Sequence, residues 1–164
     1  AGLTGATFHI LADAIMTLCL FMAVGCIIYK TKNQTLNGIK GAFKKMPLTL
    51  VAFLVGAFSM IGIPPTCGFF SKWYLLSAAI QSSHWEFFVG LLFSSFVNAI
   101  LFFRIIEIGF FQKTDHDESV VIDEAPVTML IPLILAAILV VGIGLYSNTI
   151  IERVVLPFIP GGFL

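Results

Sequence analysis

The stretch Gly56-Ala57-Phe58-Ser59-Met60-Ile61-Gly62-Ile63-Pro64-Pro65-Thr66-Cys67-Gly68-Phe69-Phe70-Ser71-Lys72-Trp73-Tyr74-Leu75 sets two adjacent prolines between glycines in an otherwise apolar run. The prolines remove two backbone donors and crowd the preceding turn, while the glycines permit left-handed dihedrals. A helix cannot run undisturbed through Gly62, Pro64, Pro65 and Gly68. The surrounding apolar block, residues 47–80, would be about 50 Å long as one helix, too long for an upright membrane span. Either two short spans turn at the prolines, or one span is broken at membrane depth. Lys72 lies a few residues past the break.

The rest of the chain has the same character. Of 164 residues, 59% are hydrophobic and 11% charged, and the mean hydropathy is +1.02. A soluble domain carries about 25% charged residues. Nine basic and nine acidic residues cannot coat a globule of this size. Nor do they provide the basic surplus a nucleic-acid binder needs. The composition is that of an integral membrane protein, and 17 Phe fit a lipid-facing surface.

Most charges fall between four apolar blocks. Residues 1–29 read as a transmembrane helix, 30–46 as a basic loop, 47–83 as the broken helix and 84–111 as a second full span. Residues 112–125 read as an acidic loop, 126–151 as a last span and 152–164 as a tail. The first block has no basic n-region and is not a signal peptide. With a single broken span, the lysines of 30–45 share a side with Arg104 and Lys113, which the positive-inside rule assigns to the cytoplasm. A hairpin divides them less well. The broken span is preferred, and the fold class is an all-α bundle of about four transmembrane spans, one of them broken.

Irregular backbone survives at membrane depth only where protein buries it or where it lines a wet cavity. Broken helices form ion and substrate sites because their ends and freed carbonyls face such a cavity. Lys72 is expected in the first turn of the second half-helix, where desolvation and the positive helix end both disfavour the ammonium. A lysine so placed can exchange protons. The competing reading is a lysine that snorkels or forms a static pair.

The quoted segment closely resembles the signature of the antiporter-like proton-translocating subunits found in respiratory complex I, Mrp-type sodium/proton antiporters and membrane-bound hydrogenases. The resemblance extends to His9–Gly25, to Lys44-Lys45-Met46-Pro47-Leu48-Thr49 and to Asn98–Glu107, about 100 of the 164 residues. It implies membership of a larger bundle of about fourteen helices built from inverted repeats, each with a broken helix. This chain corresponds to the C-terminal part. The resemblance implies that Lys72, in the Gly-Phe-Phe-Ser-Lys position, carries protons. It also implies partner membrane subunits, including whatever supplies the N-terminal helices, and no cofactor in this chain.

His9, Asp13 and Thr17 stand at i, i+4 and i+8, so they stack on one helix face. The stripe is read as a proton wire, with helix packing as its alternative. The family to which the chain is similar usually has His, His and Lys there. Here Asp13 stands at the second histidine and Thr17 at the lysine, exchanging a buried cation for a buried anion. Asp13 is then a partner for Lys72, one that could lock it protonated in a modified or inactive pump.

Ser94, Ser95 and Asn98 put polar atoms in mid-helix. Ser94 and Asn98, with Ser71, are assigned to a hydrated path. Arg104 and Glu107 read as a local ion pair, and His84 as solvated. Cys19, Cys26 and Cys67 read as small buried hydrophobes with no disulfide. The acidic run Asp115–Glu118 reads as a solvated loop.

The expected function is that of a non-redox, proton-translocating antiporter-like subunit in a prokaryotic plasma membrane, the inner mitochondrial membrane being the lesser alternative. The rivals are an Mrp-type sodium/proton antiporter subunit and a structural module that has lost pumping. A hydrated cavity beside Lys72 favours transport, and a tight Asp13–Lys72 pair favours the structural role.

Overall fold

A computed structural model of the chain describes residues 2–111 and 122–158. The described residues form helices joined by short turns: α1 (Gly2–Thr31), α2 (Ala42–Lys45), α3 (Pro47–Ile61), α4 (Cys67–Gln81), α5 (Trp85–Phe111), α6 (Val127–Leu145) and α7 (Ser147–Ile150). Helices α1, α5 and α6 are each long and apolar enough to cross a membrane; α3 is a shorter apolar helix.

Helix α3 starts cleanly because Pro47 occupies its first turn, where a missing N–H costs nothing. It stops at Gly62, whose φ of 98° lies in the left-handed region that a side chain would strain. The N–H groups of Gly62 and Ile63 both donate to the Phe58 carbonyl, each at 2.9 Å. The Pro64–Pro65 peptide is cis, and Thr66 Oγ1 donates to the Ile63 carbonyl at 2.7 Å before α4 begins.

The neighbours of α3 and α4 decide between a broken span and a hairpin. Going along α1, Gly5 lies against the backbone of Leu75, and His9 meets Ser71. The Ala12 carbonyl then faces Cys67, Met16 faces Ser59, and Cys19 donates to the Ala52 carbonyl. Along α5, Ser95 meets Lys72, Phe102 meets Phe53, and Gly109 meets Phe43. On both neighbours the numbers rise as those on α4 and then α3 fall, without reversal. A hairpin would reverse that order. The two halves therefore lie end to end in one broken span, flanked by antiparallel α1 and α5, giving four spans in all.

The break is tightly enclosed. Ser59 Oγ accepts from the Gly68 N–H at 3.1 Å, and a Cβ on Gly68 would collide with the Ser59 carbonyl. A Cβ on Gly144 of α6 would collide with the Pro65 carbonyl and the Thr66–Cys67 peptide. Small side chains thus let backbones approach closely around the core of α1, α3 and α6, where Ala12, Ala23, Ala52, Ala57 and Ala136 are buried.

Two readings from sequence change here. The 30–46 segment carries a 3-10 turn (Leu36–Ile39) and α2, with Phe43 and Met46 buried. The segment entering α6 is fastened to it and is not a free acidic loop. Lys30 donates to Asp123, and the Asp123 N–H donates to the Lys45 carbonyl at 2.9 Å. The Glu124 carboxylate accepts from the Leu48 N–H and from Thr49 Oγ1, capping the start of α3. The run Asp115–Glu118 lies outside the described residues.

The last span also differs from a plain helix over 126–151. After Leu145 the chain continues through α7, a wide π turn (Ile151–Val155) and a 3-10 turn (Leu156–Phe158). Ile151 and Val155 pack on Phe8 beside Phe70 and Tyr74, so the expected tail returns to the bundle through Val155 and Leu156.

Candidate functional site at the helix break

Lys72 is the sixth residue of α4, in its second turn. Its side chain passes over Gly62, where a Cβ would stand 3.3 Å from Lys72 Cδ. The half-buried ammonium donates to the Met60 carbonyl at 2.6 Å, the Ile61 carbonyl at 3.3 Å and Ser95 Oγ at 2.8 Å. An ammonium has three N–H donors, and three acceptors meet it. The last carbonyls of a helix lack partners within it, and Lys72 supplies two of them.

This placement corrects the expected helix-dipole effect. Lys72 belongs to the start of α4, but its charge sits at the C-terminal end of α3. That end carries the negative pole of the helix dipole, which stabilises a cation. The chain bends back because the break leaves the two half-helices end to end.

The polar stripe is only partly assembled. His9 is half-buried, with Nδ1 3.0 Å from Ser71 Oγ. The buried Ser71 hydroxyl also donates to the Gly68 carbonyl at 3.1 Å. A hydroxyl has one proton, so with that bond made, Nδ1–H of His9 is the donor to Ser71 and Nε2 is left to titrate. Asp13 is exposed on α1, not buried, and makes no ion pair with Lys72 among the described residues. It acts on Lys72 and His9 only through space. Thr17 is half-buried and makes no side-chain hydrogen bond among the described residues.

On α5 the two adjacent serines point different ways. Ser94 is exposed, whereas Ser95 reaches Lys72. Asn98 is half-buried and its side chain makes no hydrogen bond among the described residues. The sequence named Ser95 as polar and mid-helix but gave no rotation angle for α5, which is apolar all round. One further polar contact escaped sequence reading: Tyr74 Oη donates to Asn148 Oδ1 at 2.6 Å, next to the buried Ser147. Arg104 and Glu107 pair at 2.8 Å, and His84 pairs with Glu86 at 2.8 Å.

A groove of about 620 Å³ opens between α1, α4 and α5 at the end away from the lysine loop. Gln81, Ser82 and His84 line it together with Leu75 and Leu91. Leu75 is one turn from Lys72, and Leu91 is one turn from Ser95. Neither Lys72 nor Ser95 lines the groove itself.

A helix broken at membrane depth, with a cation on its freed carbonyls, is an arrangement on which membrane transporters build ion sites. Comparison with known proteins narrows that class. Residues 1–101 match the family described as NADH:quinone oxidoreductase/Mrp antiporter, TM. The chain belongs to this family and is an integral membrane protein. It is 38% identical over 164 aligned positions to NADH-quinone oxidoreductase subunit N of Desulforudis audaxviator (strain MP104C), covering 93% of this chain and 33% of that one. It is 32% identical over 170 positions to Na(+)/H(+) antiporter subunit A1 of Staphylococcus haemolyticus (strain JCSC1435), covering 96% and 21%.

Among solved structures, the fold matches a chain of the Mrp complex from Dietzia sp. DQ12-45-1b with a TM-score of 0.77 at 20% identity, covering 92% of this chain and 36% of that one. It matches a chain of respiratory complex I from Thermus thermophilus with a TM-score of 0.66 at 22% identity, covering 92% and 34%. The chain spans about a third or less of the length of these relatives.

Proposed function

We propose that this chain is the C-terminal part of a proton-translocating antiporter-like subunit, and that Lys72 is its proton carrier. The observation that carries the reading is the placement of the Lys72 ammonium on Met60, Ile61 and Ser95 at the break. Carbonyls can only accept, so they hold the ammonium and give nothing to a neutral amine's lone pair. Ser95 can do both: its hydroxyl accepts from the ammonium and, after proton loss, donates to the amine. The hydroxyl rotates, and the two N–H groups left on the amine keep the Met60 and Ile61 carbonyls. The groove lined by Leu75 and Leu91, one helical turn from Lys72 and Ser95, is proposed as the outer part of the path. Redox chemistry belongs to other subunits, and no cofactor is assigned to this chain.

Partner membrane subunits are proposed on the same basis, since the relatives are named as subunits of larger assemblies. Bacterial relatives favour a prokaryotic plasma membrane, with the lysine loop in the cytoplasm. Sodium/proton exchange is the second reading, favoured by the antiporter relatives. The structural module is disfavoured because no Asp13–Lys72 pair forms among the described residues. Proton uptake by the assembled complex in proteoliposomes, with and without Na⁺, tests the proposal. Uptake that needs no Na⁺ and falls in Lys72→Ala is expected; uptake unchanged in Lys72→Ala removes the lysine from the mechanism.

A further inference from the structure

Between Lys72 and Arg104 the sequence has one charged side chain, Glu86, and one imidazole, His84. Both lie where α4 turns into α5, beside the exposed Trp85. A tryptophan at the end of a membrane helix sits at the water interface, so this turn meets bulk water. Ser83 shapes the turn. Its φ of 59° is left-handed, a conformation uncommon for a residue with a side chain. It closes α4 by setting the Ser83 N–H on the Ile80 carbonyl at 3.1 Å and the His84 N–H on the Ala79 carbonyl at 3.0 Å.

The His84 ring is then held from two sides. It stands edge-on to Phe87, and its Nδ1 lies 2.8 Å from Glu86 Oε1. An ionised carboxylate only accepts, so Nδ1 carries the proton of that bond, and Nε2 is the nitrogen left to take up or release one. His84 and Phe87 both line the groove of about 620 Å³ between α1, α4 and α5. Among the residues that line it, His84 alone has a side chain that titrates, with Gln81 and Ser82 polar beside it. The pair does little as a structural device: the two side chains are 58% and 67% exposed, and such a surface pair contributes little to stability. Imidazole is the side chain that exchanges protons near neutral pH, and this one borders both bulk water and the groove.

We propose that His84 is the proton-exchange group of this groove at the outer surface, and that Glu86 is the positioning residue that holds its ring. Nε2 accepts a proton from water or a buffer acid on one side and gives it up to water on the other, so the ring is unchanged after each transfer. The inference rests on the proposed function in one respect, that the groove is the outer part of the proton path.

Proton uptake by the assembled complex in proteoliposomes tests it, with the buffer varied only on the side of the α4–α5 turn. In dilute buffer His84→Gln, which cannot titrate, is expected to lower the rate about tenfold. Concentrated imidazole on that side should restore the wild-type rate, because a mobile buffer replaces the missing group; a purely structural loss would not respond. Glu86→Gln keeps the imidazole and should lose less. Since both side chains are exposed, these variants leave the packing within the chain intact. A wild-type rate for His84→Gln in dilute buffer would overturn the inference. So would a loss that imidazole does not restore, or a larger loss in Glu86→Gln than in His84→Gln. The carrier reading fails separately: uptake lost in Lys72→Ala but untouched in His84→Gln removes this inference alone, and a buffer-restored loss in His84→Gln with uptake unchanged in Lys72→Ala removes only the carrier.

Discussion

Lys72 of α4 donates to the Met60 carbonyl of α3 at 2.6 Å, so the second half of the broken helix caps the first. On the proposed function, proton carrier and structural cap are the same ammonium. Loss of its charge therefore has two separable consequences, one for stability and one for transport. Lys72→Met keeps the length and leaves the Met60 and Ile61 carbonyls without this donor. Thermal unfolding of the purified complex should report a cost of about 1–3 kcal/mol. Lys72→Arg, which keeps charge and donors, should cost less.

Ser95 and Ser94 give a matched pair. Ser95 Oγ is 2.8 Å from Lys72 Nζ, and Ser94 faces away from the chain's interior. Ser95→Ala removes the one partner able both to accept from the ammonium and to donate to the amine. Its transport rate should fall about tenfold, which is worth roughly 1.4 kcal/mol of barrier. Ser94→Ala should retain the wild-type rate. Stopped-flow proton uptake in proteoliposomes checks both.

The glycines at the break should be intolerant of even one methyl group. Gly68→Ala drives a Cβ into the Ser59 carbonyl, and Gly144→Ala drives one into the Pro65 carbonyl. Backbone cannot move aside as a side-chain tip can, so each should cost about 3 kcal/mol. Nothing lies within 4 Å of a Cβ on Gly90. Gly90→Ala should be neutral or stabilise by up to about 1 kcal/mol. Denaturant titration of the three variants in detergent gives the comparison.

How far these features could be read in advance depended on whether their cause is local. The break was legible because proline and glycine act on the backbone they occupy, and Gly62, Pro64 and Pro65 announce it in one line of sequence. Lys72 was legible because a lone charge in an apolar block stands out. Its direction was not: the ammonium turns back to α3, and only the end-to-end placement of the half-helices creates that target. The choice of Ser95 over Ser94 depends on the rotation of α5, whose apolar surface runs all round it. The outward aim of Asp13 was hidden in the same way on α1. Glu124 looked like one more acid in a loop, because the N–H it caps belongs to Leu48, far away in sequence.

Glu124 should accordingly matter more than its neighbours. Its carboxylate accepts from the Leu48 N–H and the buried Thr49 hydroxyl at the positive end of α3. Glu124→Ala leaves both donors without it and should lower stability by about 1–2 kcal/mol. Glu124→Gln should recover about half by keeping one acceptor oxygen. Thermal melts of the two variants distinguish these outcomes from a solvated acid, for which neither would change.

On the proposed function, the ammonium at the helix break is the group that moves the proton. Proton uptake by the Lys72→Met complex, reconstituted in proteoliposomes and matched to wild type for assembly and for turnover of its driving reaction, tests it most directly. The account predicts uptake at about one tenth of wild type or less, since a thioether can neither hold nor pass a proton. Uptake at the wild-type rate in that variant would contradict it.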